Sequence, residues 1–166
     1  MLFRSDNFLV FAFIGVVLMI AGGLYRPLAK RFVEGRLLRA GVMLMIVGLG
    51  GLGVVAAVVH RQADAGGRLP AVEGLFYVAA AVAVVGFAFV NPSVSALISR
   101  HTDPERQGEV LGVNQSFASL GRILSPFLGS LLFSLHASGG LPFMLAVAAL
   151  LAVVALLRRS EAVPAS

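Results

Sequence analysis

Apolar residues run along the chain in five blocks, at 7–25, 40–59, 74–98, 110–135 and 141–157, separated by short polar breaks. About 20 largely apolar residues suffice for a helix to cross some 30 Å of hydrocarbon. Each block is therefore predicted to be a membrane-spanning helix, and the chain to be an all-α integral membrane bundle of about five spans. The first block is preceded by Arg4 and ends near the small residues Ala21, Gly22 and Gly23, as a signal peptide would be. A basic segment and four further blocks follow it at once, which favours a span.

Polarity is unevenly shared among the blocks. The second and fifth contain no strongly polar side chain and are expected to be outer helices, facing lipid around much of their circumference. The third ends with Asn91, Pro92, Ser93 and Ser95, and the fourth carries Asn114, Gln115, Ser116, Ser119, Arg122 and Ser125. These two should face protein or water.

On the fourth block, steps of four and three from Gly108 trace Gly112, Gln115, Ser119, Arg122, Pro126, Gly129 and Phe133. All but Phe133 are small, polar or helix-perturbing, so this stripe is expected to meet a partner helix or a cavity. Its glycines suit close helix packing. Arg122 is a different matter, because an arginine near a helix centre costs roughly 2.5 to 3.5 kcal/mol unless it finds water or partners. It is expected to line an aqueous path or to brace a neighbouring helix through carbonyl hydrogen bonds. Pro126 removes the amide donor for the carbonyl four residues back, at Arg122 itself, and should bend the helix; Pro92 acts likewise in the third block. Ahead of the fourth block, Asp103 and Pro104 read as N-cap and first helical residue.

Composition agrees with a bilayer protein: 58% of residues are hydrophobic and only 13% charged, against roughly 25% charged in soluble domains. The net charge of +5 lies in the short breaks and not on an aromatic-studded polar surface, which argues against nucleic acid. Cytoplasmic loops are enriched in Lys and Arg. Arg26, Lys30, Arg31, Arg36 and Arg39, then Arg100 and Arg106, then Arg158 and Arg159 all fall on one side if every block crosses, whereas the other side holds Arg4, Arg61 and Arg68. The N-terminus is predicted outside and the C-terminus in the cytoplasm. With no cysteine, thiol redox chemistry and cysteine-based metal sites are excluded. No phosphate-binding glycine loop ending in Gly-Lys-Ser/Thr is present. Ser138 follows His136 without any supporting catalytic pattern, so no enzyme, cofactor or metal site is expected.

Three stretches carry a resemblance. GGLYRPLAKRFVEGRLLRAG, residues 22–41, looks like a degenerate loop motif of the type G-x-L-a-D-r-x-G-r-[RK], with Gly23, Arg31 and Arg36 as the matches. The motif's acidic residue is absent, and Val33 stands where its second glycine is expected. GFAFVNPSVSALISRHTDPERQGEVLGVNQS and SLGRILSPFLGSLLF complete the set. In this order they resemble the C-terminal half of the major facilitator superfamily, especially its drug/proton antiporter branch. The resemblance implies that the five spans are helices eight to twelve, an incomplete six-helix bundle, with nine and twelve peripheral and eight, ten and eleven bordering a central cavity.

It further implies secondary active transport by alternating access between two halves, with efflux of a drug-like or metabolite substrate the favoured direction. Partners would be the lipid bilayer, a small-molecule substrate, a missing N-terminal half and possible coupling protons, in a bacterial inner membrane. The chain would then be a C-terminal fragment. Arg122, Gln115, Asn114, Ser119 and Asn91 become candidates for cavity or helix contacts, and Gly23, Arg26, Arg31 and Arg36 for a cytoplasmic gate. A small non-transporting membrane-embedded binding or regulatory subunit is the alternative.

Overall fold

The computed structural model describes residues 3–62, 70–135 and 140–162. Among these residues the chain is all helical: α1 (Phe3–Ala29), α2 (Glu34–Gln62), α3 (Pro70–His101), the 3-10 turn Pro104–Arg106, α4 (Gln107–Leu135) and α5 (Leu141–Ala162). Five helices are long and apolar enough to cross a membrane, as the apolar blocks predict. Arg68, His136 and Ser138 lie outside the described residues.

Every helix whose ends are described outruns its apolar block, because the backbone hydrogen bonds of a helix persist where its side chains turn polar. At about 1.5 Å per residue, the 32 residues of α3 measure about 48 Å, against about 30 Å of hydrocarbon. The basic break predicted between the first two spans shrinks accordingly. Gly23, Arg26 and Pro27 belong to α1 and Arg36 and Arg39 to α2, which leaves residues 30–33 as the link. The Leu28 carbonyl accepts from the amides of Arg31 and Phe32, both at 2.9 Å, and the Val33 carbonyl accepts from that of Arg36 at 2.9 Å, opening α2.

α3 is the centre of the bundle and packs most extensively on α2, then on α1, with α5 against the far side of α2. The α2–α3 seam is built on missing side chains. A Cβ on Gly41 would lie 2.9 Å from the Gly86 carbonyl oxygen, one on Gly48 would lie 2.3 Å from the backbone nitrogen of Ala83, and one on Gly86 would lie 2.6 Å from the Gly41 oxygen. Backbones that approach this closely gain dispersion contact over their whole length, the usual source of helix association where lipid is as apolar as leucine. Leu37, Leu38, Val42 and Val55 of α2 and Ala79, Ala80 and Ala88 of α3 are buried along this seam and its flanks.

This corrects the expectation for the second span. Residues 40–59 of α2 carry no strongly polar side chain, yet the helix holds much of the core, because a glycine face makes a contact surface without any polarity. α5 does remain on the outside, with none of its span buried. α4 stands apart from the core: no residue of it is buried, and it meets α3 and α5 only lightly. Near its C-terminal end Phe133 stacks edge-on against Phe143 of α5, with centroids 6.1 Å apart.

The turn into α4 is closed by side chains. Thr102 Oγ1 donates to the Ile98 carbonyl at 2.7 Å, Gln107 Nε2 to the Ser99 carbonyl at 2.9 Å, and His101 Nδ1 lies 2.9 Å from the Leu97 carbonyl. The last carbonyls of α3 are thereby satisfied. Asp103 occupies the N-cap position as predicted, at φ −55° and ψ 140°, but its side chain makes no cap hydrogen bond. Pro104 opens the 3-10 turn, and α4 starts three residues later than the sequence suggests.

Candidate functional site

α3 and α4 flank a cleft of about 710 Å³ lined by both polar and apolar side chains. α3 contributes Phe87, Asn91, Pro92, Val94 and Ser95, and α4 contributes Asn114, Gln115, Ala118, Gly121, Arg122 and Ser125. On each helix these positions recur at three- and four-residue steps, so each set forms one face. The cleft brings together four of the five side chains singled out as cavity candidates: Asn91, Asn114, Gln115 and Arg122. Ser119 is exposed and lies outside the lining.

The stripe read from Gly108 to Phe133 is therefore displaced. At 3.6 residues per turn, the α4 face turned to α3 lies about a quarter-turn from the line through Gly112, Ser119 and Pro126, with Gln115 and Arg122 at the edge between the two. A Cβ on Gly108, Gly112, Gly121 or Gly129 would meet nothing within 4 Å. Among the described residues these glycines make no close helix contact, in contrast to Gly41, Gly48 and Gly86.

Arg122 donates through Nε to the carbonyl of Ala118 at 3.2 Å. That carbonyl is in its own helix, one turn earlier, so the guanidinium does not brace a neighbouring helix through this bond. The side chain runs back along α4 toward Ala118, and the residue lines the cleft. Two hydroxyls of this part of α4 are spent locally: Ser116 donates to the Gly112 carbonyl at 3.0 Å and Ser125 to the Gly121 carbonyl at 2.6 Å. Such bonds satisfy a hydroxyl in an apolar medium without a partner helix. The side-chain amides of Asn91, Asn114 and Gln115 make no hydrogen bond among the described residues.

Pro92 and Pro126 lie within α3 and α4 respectively, and Pro27 within α1. Pro92 borders the cleft, whereas Pro126 does not. On the basic side, Gly23 faces open space, and Arg26, Arg31 and Arg36 are exposed and form no ion pair among the described residues.

The ion pair at that end is one that sequence reasoning missed. Arg100 Nη2 lies 2.6 Å from Glu34 Oε1, joining the last turn of α3 to the first turn of α2; the arginine side chain is 65% exposed and the carboxylate 10%. Glu34 also sits at a helix N-terminus, where the aligned peptide dipoles favour a negative charge. A signal was present, since Glu34 is an acidic residue within a strongly basic segment. A second missed contact ties α1 to α3. Tyr25 Oη and Ser93 Oγ are 3.2 Å apart, Ser93 is completely buried, and the Tyr25 ring packs at 6.0 Å from that of Phe89.

Compared with known families, the chain matches the family model described as Major Facilitator Superfamily over residues 6–166. No curated protein and no solved structure shows a significant match.

Proposed function

Because the chain belongs to the Major Facilitator Superfamily, whose members move small solutes across membranes, we propose that it supplies helices eight to twelve of the C-terminal half of a secondary active transporter. The observation that carries the reading is the α3–α4 cleft, which holds Arg122, Asn114 and Gln115 on α4, a helix with no buried residue, and Asn91 on α3. A polar face of this kind is stable in a bilayer only against water, a ligand or another protein element. A second bundle packed against α4 would close it into a central cavity, and rocking of one bundle on the other would expose it to each side in turn.

In this reading Asn91, Asn114, Gln115 and Arg122 line the solute path, and Ser119, just outside the cleft, faces the second bundle. Pro92 and Pro126 let α3 and α4 bend as the halves move. Gly23, Arg26, Arg31 and Arg36 line the cytoplasmic edge, where the three arginines meet acidic groups of the partner half. The drug/proton antiporter branch, and with it efflux of a drug-like or metabolite solute coupled to protons, is supported by the three sequence stretches. The carboxylates at α3 and α4, Glu73 and Glu109, stand in the first turns of their helices, so a coupling group within the membrane would come from the partner half.

The test is transport by the chain co-expressed with a candidate partner half, measured in membrane vesicles against vesicles carrying either part alone. Solute movement that needs both parts, and that falls at least tenfold in Arg122→Leu while the protein still inserts, is expected. Unchanged rates in Arg122→Leu would remove the cleft from the solute path. Full function of a single 17.3 kDa species in native membranes would overturn the two-part reading.

A further inference from the structure

Resting on the reading of the chain as part of a transporter, we infer that the α3–α4 cleft receives an organic oxyanion and discriminates against organic cations. Three observations converge. Arg122 has only its Nε engaged, by the Ala118 carbonyl, so its two terminal nitrogens present a planar pair of donors of the kind that matches a carboxylate, sulfonate or phosphate edge. None of the described carboxylates lines the cleft, and none forms a salt bridge with Arg122. The neighbouring side chains of Asn91, Asn114 and Gln115 add amide N–H donors that no described group satisfies.

The rest of the cleft fits the body of such a solute. Phe87, Val94 and Ala118 give it an apolar wall. Its volume of about 710 Å³ is within the range of roughly 300 to 1,000 Å³ typical of small-molecule sites. An oxyanion would neutralise Arg122 in a medium where an unpaired charge is expensive. A cation would bring a like charge to the same site and leave the guanidinium fork unpaired. The arrangement therefore selects by charge sign first and by shape second.

The experiment uses two probes of similar size and permanent, opposite charge: p-toluenesulfonate and benzyltrimethylammonium. Binding of each is measured by equilibrium dialysis to the full chain in lipid nanodiscs, for the natural sequence, Arg122→Gln and Arg122→Lys. The expected result is at least tenfold preference for the sulfonate, a loss of tenfold or more in Arg122→Gln, and partial retention in Arg122→Lys, which keeps the charge and loses the planar fork. A gel-filtration profile and helix content identical to the natural chain show that each variant remains folded, and the lysine variant reports on charge should the glutamine variant not insert.

Equal or better binding of the ammonium probe, binding of neither probe, or sulfonate binding indifferent to both substitutions would overturn the inference. Vesicle uptake separates this failure from failure of the transport reading. Uptake of the ammonium probe undiminished by Arg122→Gln sinks the oxyanion preference and leaves transport standing. Arg122-dependent sulfonate binding with no solute movement in any co-expression sinks transport and leaves the preference standing.

Discussion

Gly48 leaves no room for a side chain, since a Cβ there would sit 2.3 Å from a backbone atom of Ala83. No rotamer of a neighbour can relieve a clash with backbone, so α2 and α3 would have to separate. Overpacking of this kind typically costs about 1 to 3 kcal/mol, occasionally more. Gly48→Val should therefore lower the thermal midpoint of the chain in mild detergent. Gly112→Ala, which adds a methyl group where nothing lies within 4 Å, should leave it unchanged. A Gly112→Ala loss equal to that of Gly48→Val would mean that α4 packs more tightly than described. Tyr25→Phe removes one hydroxyl and strands Ser93, which is completely buried. Hydrogen bonds between helices in bilayers average about 0.6 kcal/mol, so a small loss of stability is expected, with Ser93→Ala nearly non-additive in the double variant. Additivity of the two would show that the bond does not form. The contrast among glycines also marks a limit of sequence reading. Gly48 and Gly112 look alike in the chain, and only the helix opposite decides which is tightly packed and which is bare.

The helices themselves were legible because hydropathy and length act along a single dimension. All five apolar blocks become helices, and the disagreements lie at the ends, where polar residues such as Arg26 and Arg36 continue the helix past the hydrocarbon. What one dimension does not contain is rotation about each helix axis and choice of neighbour. The polar stripe on α4 is legible in the sequence, but the face that meets α3 is about a quarter-turn away, so Gln115 and Arg122 lie at the edge of the cleft and Ser119 lies outside it. Pairing between elements was equally hidden. Glu34 and Arg100 are far apart in sequence and meet at 2.6 Å, linking the start of α2 to the end of α3. With Arg100 mostly exposed, solvent screening reduces the pair to about 1 kcal/mol or less. A double-mutant cycle of Glu34→Gln and Arg100→Gln should give a coupling of that size which fades as salt is raised. A coupling indistinguishable from zero at low salt would make the pair incidental to holding the two helix ends.

At the scale of the molecule, the arrangement is a tight α2–α3 pair with α1 and α5 flanking it and α4 loosely attached. The proposed orientation in the membrane rests on the basic residues, and it is readily tested because the chain has no cysteine. A single cysteine introduced as Ala65→Cys should react with an impermeant maleimide from outside intact cells, and Ser166→Cys only after the membrane is opened. The reverse pattern would invert the proposed topology and place the Glu34–Arg100 pair on the outer side. The polar face of α4 also could be read in advance only up to a point. A charge within an apolar span can be recognised from sequence, whereas the sequence does not say which group or solute would neutralise it.

The bareness of α4 has a consequence for the life of the protein in the cell. On the proposed two-bundle reading, a copy without its mate would present α4, with Arg122 and no buried residue, directly to lipid, where an unpaired charge is expensive. Any partner that covers α4 stabilises the covered form by mass action and hides that charge at the same moment. If the proposed second bundle docks there, turnover of this chain should follow the dosage of that partner, with orphan copies cleared sooner than matched ones, and a pulse-chase with and without the partner would show it.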